Sequence, residues 1–154
     1  MALSQFSMPP NNLPAAGALD EAVRQLGESG FRKALIVTDA ALARMGLAQT
    51  LADKLTAKGI ASTVFDGVQP NPTIGNVNAG LAMLHEAQCD LVISLGGGSA
   101  HDCAKGVALV ASNGGAIADY EGLDKSAKPQ LRLLAINTTA GTASEMTRFT
   151  IITD

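Results

Sequence analysis

The sequence predicts an α/β fold, a parallel sheet with helices on both faces, and two observations carry that prediction. Four short runs rich in Val, Ile and Leu recur along the chain, and none alternates polar with apolar residues, as expected of strands covered on both sides. Between them lie segments whose apolar residues return every three or four positions, the spacing of one helical face. Strands alternating with helices make a parallel sheet, and in such sheets ligands gather outside the carboxyl ends of the strands.

The elements follow in order. Leu19, Val23 and Leu26 mark a first helix before the run "KALIVTD" (33–39). Leu47, Leu51 and Leu55 mark a helix between that strand and "ASTVFDG" (61–67), and Ile74, Val77, Leu81 and Leu84 mark the next. The third run, "CDLVISLGGG" (89–98), opens a helix whose Ala100, Cys103, Ala104, Val107, Ala108 and Ala111 share one side. A polar, Gly-containing stretch, "ASNGGAIADYEGLDKSAKPQ" (111–130), is expected as a surface loop before the fourth run, "LRLLAINTT" (131–139). The loops after Val37, Leu95 and Ile136 are therefore where a ligand site is expected.

Composition excludes several classes. At 154 residues, 47% hydrophobic and 16% charged, with no repeat, linker or low-complexity tract, the chain is one globular domain with one core. A net charge of −3, scattered Lys and Arg, and only four Phe and one Tyr give no basic patch or stacking surface, so no nucleic-acid partner is expected. The start "MALSQFSMPPNNLPAAG" has no basic segment followed by an apolar one, and no apolar stretch reaches membrane-spanning length; no membrane partner and a cytoplasmic location are expected. Cys89 and Cys103 sit in apolar patterns as small hydrophobes. His85 and His101, the only histidines, have no Cys, His or Asp cluster at ligand spacing, so both are expected to be structural or exposed.

The densest chemical signal is Gly96-Gly97-Gly98. Such a triplet permits positive φ and lets another backbone or a ligand approach closely, and Ser99 suits the N-cap of the helix that follows. Unpaired amides and the positive end of the helix dipole make that point fit for phosphate. The ordinary dinucleotide fingerprint would need glycine at position 101, where this chain has His101. Asp102 has two readings: Ser99 to Asp102 is capping-box spacing, or the carboxylate faces a ribose hydroxyl. Asp39 likewise either caps the helix that begins "AALARMG" or accepts bonds from the two hydroxyls of an adenosine ribose. Thr138, Thr139, Thr142 and Ser144 crowd hydroxyls after the fourth strand, as a polar ligand site or a Ser/Thr-rich turn would, and Asn71 stands in "QPNPT" as a ligand contact or a turn residue.

These motifs, "KALIVTD", "DGVQPNPT", "GGGSAHD" and "INTTAGTASEMTRF", stand in the order and spacing of the amino-terminal half of the iron-dependent (group III) alcohol dehydrogenases, which the whole chain resembles. It looks similar to the branch holding short-chain ethanol and methanol dehydrogenases, and departs from it at Ala100, where proline is common. The resemblance implies a Rossmann-like, dehydroquinate-synthase-like domain over residues 1–154 that binds NAD. By position it implies Asp39 at the adenosine ribose and Gly97, Gly98 and Ser99 at the pyrophosphate. Asp102 would lie towards the nicotinamide ribose, with Asn71, Thr138, Thr139, Thr142, Thr147, Phe149 and Ile151 around the cofactor.

For the parent enzyme the resemblance implies hydride transfer between a short-chain alcohol or aldehyde and NAD(H), in a protein that is often a homo-oligomer. It also implies Fe2+ or another divalent metal held by an Asp and three His of a carboxyl-terminal helical domain, positions this chain does not contain. The expectation is a piece truncated after residue 154, catalytically incomplete alone, with no metal ligands and no catalytic residue of its own. A self-standing, non-catalytic nucleotide-binding module is the alternative, and a sugar-phosphate site at the glycine loop is a third reading.

Overall fold

A computed structural model describes residues 16–122, 125–139 and 150–153. Four strands form one sheet: β1 (Lys33–Val37), β2 (Ala61–Phe65), β3 (Leu91–Gly96) and β4 (Leu133–Asn137). All pairings are parallel, in the order β2-β1-β3-β4, as the alternation of elements predicts. Asp90 ties two strand starts together, its carboxylate accepting from the amides of Arg32 and Lys33.

The helices are α1 (Ala18–Glu28), α2 (Ala40–Arg44), α3 (Leu47–Thr56), α4 (Ile74–Ala87) and α5 (Gly98–Asn113). Where chain length predicts one core, two form, because successive strand residues point to opposite faces of the sheet. Ala34, Ile36, Leu91, Ile93 and Leu95 meet Val23 of α1 and Leu51 and Leu55 of α3. Leu35, Val37 and Val92 meet Val77 and Leu84 of α4 and Cys103, Ala104 and Val107 of α5. The helical faces read from spacing are the buried ones, except that Leu47, in the first turn of α3, is 38% exposed.

Helices α4 and α5 touch through glycines in both directions. A Cβ on Gly80 would lie 3.0 Å from a methyl of Val107, and one on Gly106 would lie 3.0 Å from a methyl of Val77. The segment expected as a plain loop over 111–130 has more order than its composition suggests. Helix α5 runs on to Asn113, and a 3-10 turn spans Ile117–Tyr120 with Ile117 buried. The Asn113 side chain closes it by donating to the Lys128 carbonyl and accepting from the Lys128 amide.

Candidate functional site

The strand order sets the site. From β1 the chain crosses outward to β2, then returns over β1 to β3, so the connections leave the carboxyl ends of β1 and β3 in opposite directions and open a crevice between them. Asp39 stands at one of those ends and Gly96 to Gly98 at the other. They adjoin: a Cβ on Gly96 would lie 3.4 Å from a methyl of Leu42 in α2. Thr38, fully buried before Asp39, has a hydroxyl with no hydrogen-bond partner.

Asp39 is the N-cap of α2, and its Oδ1 accepts from the Leu42 amide at 2.9 Å. The capping reading is therefore correct. It leaves the ribose reading standing beside it, because a carboxylate has a second oxygen and the Leu42 contact uses one.

The glycine loop differs from expectation in two respects. Its left-handed backbone belongs to Gly96 alone, at φ 151, where a Cβ would also collide with that of Ala100 at 2.9 Å. Gly97 has φ −98 and Gly98 already belongs to α5, so neither needs glycine for its φ. Space is the reason at Gly97, where a Cβ would stand 3.0 Å from Thr139 Oγ1. The second difference is the cap. Gly97, not Ser99, is the N-cap of α5, and no side chain caps it. The first helical bond runs from the His101 amide to the Gly97 carbonyl, leaving the amides of Gly98, Ser99 and Ala100 ahead of the hydrogen-bonded ladder. An uncapped sixteen-residue helix facing a glycine turn suits an anion.

Asp102 does not form the capping box that its spacing suggests, since Ser99 lies inside the helix. Its Oδ2 accepts from the Ile151 amide at 3.2 Å, its carbonyl accepts from Thr150 Oγ1 at 2.7 Å, and the Lys105 ammonium lies 3.8 Å from Oδ1. Lys105 is 7% exposed, so this carboxylate has a cation nearby to offset the repulsion a neighbouring diphosphate would exert. The same returning segment reaches Asn71's loop, with the Ile74 amide donating to the Thr153 carbonyl and the Thr153 amide to the Pro72 carbonyl. Asn71 itself is exposed and holds φ 56. Asp102 and Ile151 are thus brought together directly, and the Asn71 loop is joined to the same segment. Thr138 and Thr139 follow β4, exposed, with Thr139 against Gly97. Thr142, Thr147 and Phe149, like Ser144, lie outside the described residues.

Sequence reasoning missed one constellation. His101 is fully buried, with Nδ1 2.6 Å from Ser94 Oγ and Nε2 3.3 Å from Asn137 Oδ1. The signal was present as two polar residues on apolar surfaces, Ser94 within β3 and His101 on the packed side of α5. Buried polar groups need partners, and these two find each other. Cys89 and Cys103 are buried free thiols, and burial pushes Cys103 up to about 12. Among the described residues, no three His, Cys, Asp or Glu side chains come together as a metal would require, and no helix is long and apolar enough to cross a membrane.

Comparison with known proteins gives this geometry a family. Residues 9–154 match the model for "Iron-containing alcohol dehydrogenase". Alcohol dehydrogenase 4 of Schizosaccharomyces pombe is 58% identical over 154 residues, which is all of this chain and 36% of that protein. An alcohol dehydrogenase from Oenococcus oeni superposes with a TM-score of 0.90 at 35% identity, covering 94% of this chain and 38% of that one. Sulfoacetaldehyde reductase from Bifidobacterium kashiwanohense, solved in complex with NAD+, superposes at 0.84 with 32% identity, over 96% of this chain and 39% of its own. The chain thus spans between a third and two fifths of the length of the relatives it matches. By sequence match and by superposition alike, it belongs to the iron-containing alcohol dehydrogenase family.

Proposed function

We propose that this chain is the NAD-binding domain, over residues 1–154, of an iron-type alcohol dehydrogenase. The observation that carries the reading is the crevice between the carboxyl ends of β1 and β3, with the Asp39 carboxylate on one side and the uncapped start of α5 on the other. The residues fit the cofactor. Gly97 leaves room beneath Thr139 that a Cβ would fill, the leading amides of α5 suit the pyrophosphate, and Asp39 suits a ribose diol while opposing a 2′-phosphate. Asp102 and Ile151, bonded to each other, and Asn71, whose loop the same segment reaches, are assigned to the nicotinamide side together with Thr138 and Thr139. The NAD+ complex of the sulfoacetaldehyde reductase supports the choice of cofactor.

When bound, NAD would supply the acceptor for the hydride of a short-chain primary alcohol's carbinol carbon, the hydroxyl proton leaving as the aldehyde forms, or the hydride donor in the reverse direction. This chain's part is to bind and orient that ring. The family's metal does not fit the described residues, which offer no donor set, and no step assigned to them passes through it. We assign the parent enzyme to the cytoplasm, in a family whose members are often homo-oligomers.

Calorimetric titration of the chain with NAD+ and NADP+ tests the reading. Saturable NAD+ binding, about ten-fold or more tighter than NADP+, is expected from the Asp39 charge. Absence of NAD+ binding refutes the assignment, and equal affinities refute the role of Asp39.

A further inference from the structure

The buried contacts of His101 run from the middle of the sheet to the rim of the crevice. Its Nε2 meets Asn137 Oδ1 at 3.3 Å, and the same oxygen accepts from the Thr139 amide at 3.3 Å. Thr139 in turn rests against Gly97. An oxygen that accepts from an amide is identified as oxygen, so the His101 nitrogen facing it carries the proton. Nδ1, on the other side of the ring, lies 2.6 Å from the Ser94 hydroxyl. One imidazole therefore joins the first turn of α5, the interior of β3 and the exposed end of β4.

From this we infer that His101 is a positioning residue for the cofactor, holding Asn137 so that the Thr138–Thr139 turn is set at a fixed height over Gly97. The inference rests on the dinucleotide reading above. Nothing in the fold alone requires this arrangement. An apolar side chain on α5 would pack against β3, and the neighbouring positions Ala100, Cys103, Ala104 and Val107 do so. Ser94 and His101 form a polar pair among the apolar residues that α5 and β3 bring together, and the pair reaches Asn137, which is exposed and next to Thr138. Such a pair fixes direction, because a hydrogen bond tolerates less rotation than an apolar contact does. The adenosine end of the cofactor lies across the crevice at Asp39, beyond the reach of these contacts.

Four proteins decide the matter: the wild-type chain, His101→Phe combined with Ser94→Ala, His101→Gln, and Asn137→Ala. The double replacement removes both buried polar groups together, so neither is left unsatisfied. Asn137→Ala changes an exposed side chain and removes only the acceptor that faces His101 Nε2, with the apolar packing unchanged. Each is titrated with NAD+ and with adenosine, after circular dichroism has verified its fold. The expected result is a loss of about ten-fold in NAD+ affinity for the double replacement and for Asn137→Ala, with adenosine affinity unchanged. His101→Gln, whose amide can donate from nearly the position of Nε2, should recover most of the loss. If Asn137→Ala binds NAD+ as the wild type does, the inference falls while the dinucleotide reading stands. Equal losses of NAD+ and adenosine, or no recovery by His101→Gln, also overturn it. A wild-type chain that binds no NAD+ refutes the reading itself, and this inference with it.

Discussion

At the end of β1, Asp39 is held by the turn that follows it, its carboxylate accepting from an amide three residues on. At the end of β3 the glycine loop is held from a distance. Thr139 of the β4 exit covers Gly97, Asn137 reaches back to His101, and Ile151 seats on Asp102, contacts spanning 36 to 49 residues of chain. Both edges face one crevice, yet the first is assembled locally and the second only once the fold has closed. A locally built contact survives loosening of its surroundings, whereas one made of distant pieces fails as a unit.

The strongest attempt to break that contrast is Gly97→Val. The branched side chain collides with Thr139, so NAD+ binding should become unmeasurable in calorimetry while circular dichroism still reports the sheet. Asp102→Ala should come next. It removes acceptors for Ile151 and the partner of buried Lys105, costs about 1–3 kcal/mol, and accelerates amide exchange at Ile151 while leaving Leu42 protected. Smaller still is Asp39→Ala, which costs about 1 kcal/mol as a lost cap and erases the roughly ten-fold preference for NAD+ over NADP+. Asp39→Asn separates the two effects, because asparagine caps as well as aspartate does: the melting temperature should hold while the preference disappears.

Cys103, beneath the β3 edge, should show the least effect at neutral pH. Its thiol is pushed up to about 12 by burial, with the charge of Asp102 adding to it, so iodoacetamide should leave it unmodified in the folded protein at pH 8. The unfolded chain gives up this proton near the ordinary thiol value of 9.0, the folded chain only near 12. The contribution to stability is therefore intact below about pH 9 and is lost progressively as pH rises towards 12.

The same contrast accounts for what could be read from the residues in order. Spacing of Val23, Leu51, Leu55, Val77 and Leu84 located the helices, because one face of each is buried against a sheet. Asp39 was readable as a cap because a cap and its partner lie within one turn. The N-cap at Gly97 was not, since Ser99 is the better capping residue by type, whereas the helix starts two residues earlier with no side-chain cap. Asp102 misled for a similar reason. Its spacing from Ser99 is a local signal, and its true partner, Ile151, lies 49 residues away. His101 seemed unremarkable because its partners come from two different strands, which sequence distance conceals.

The reciprocal glycine contacts between α4 and α5 have a mechanical consequence. Gly80 and Gly106 lie midway along their helices, and both helices begin at the crevice, one after the Asn71 loop and the other at the glycine triplet. The crossing is therefore a fulcrum, and the two loops are the ends of its arms. Residues 150–153 bridge those ends, bonded to Pro72 and Ile74 on one side and to Asp102 on the other. A single methyl added at Gly80 would press on Val107 at that pivot, so the contact in the middle of the layer helps to set the two loops at the mouth.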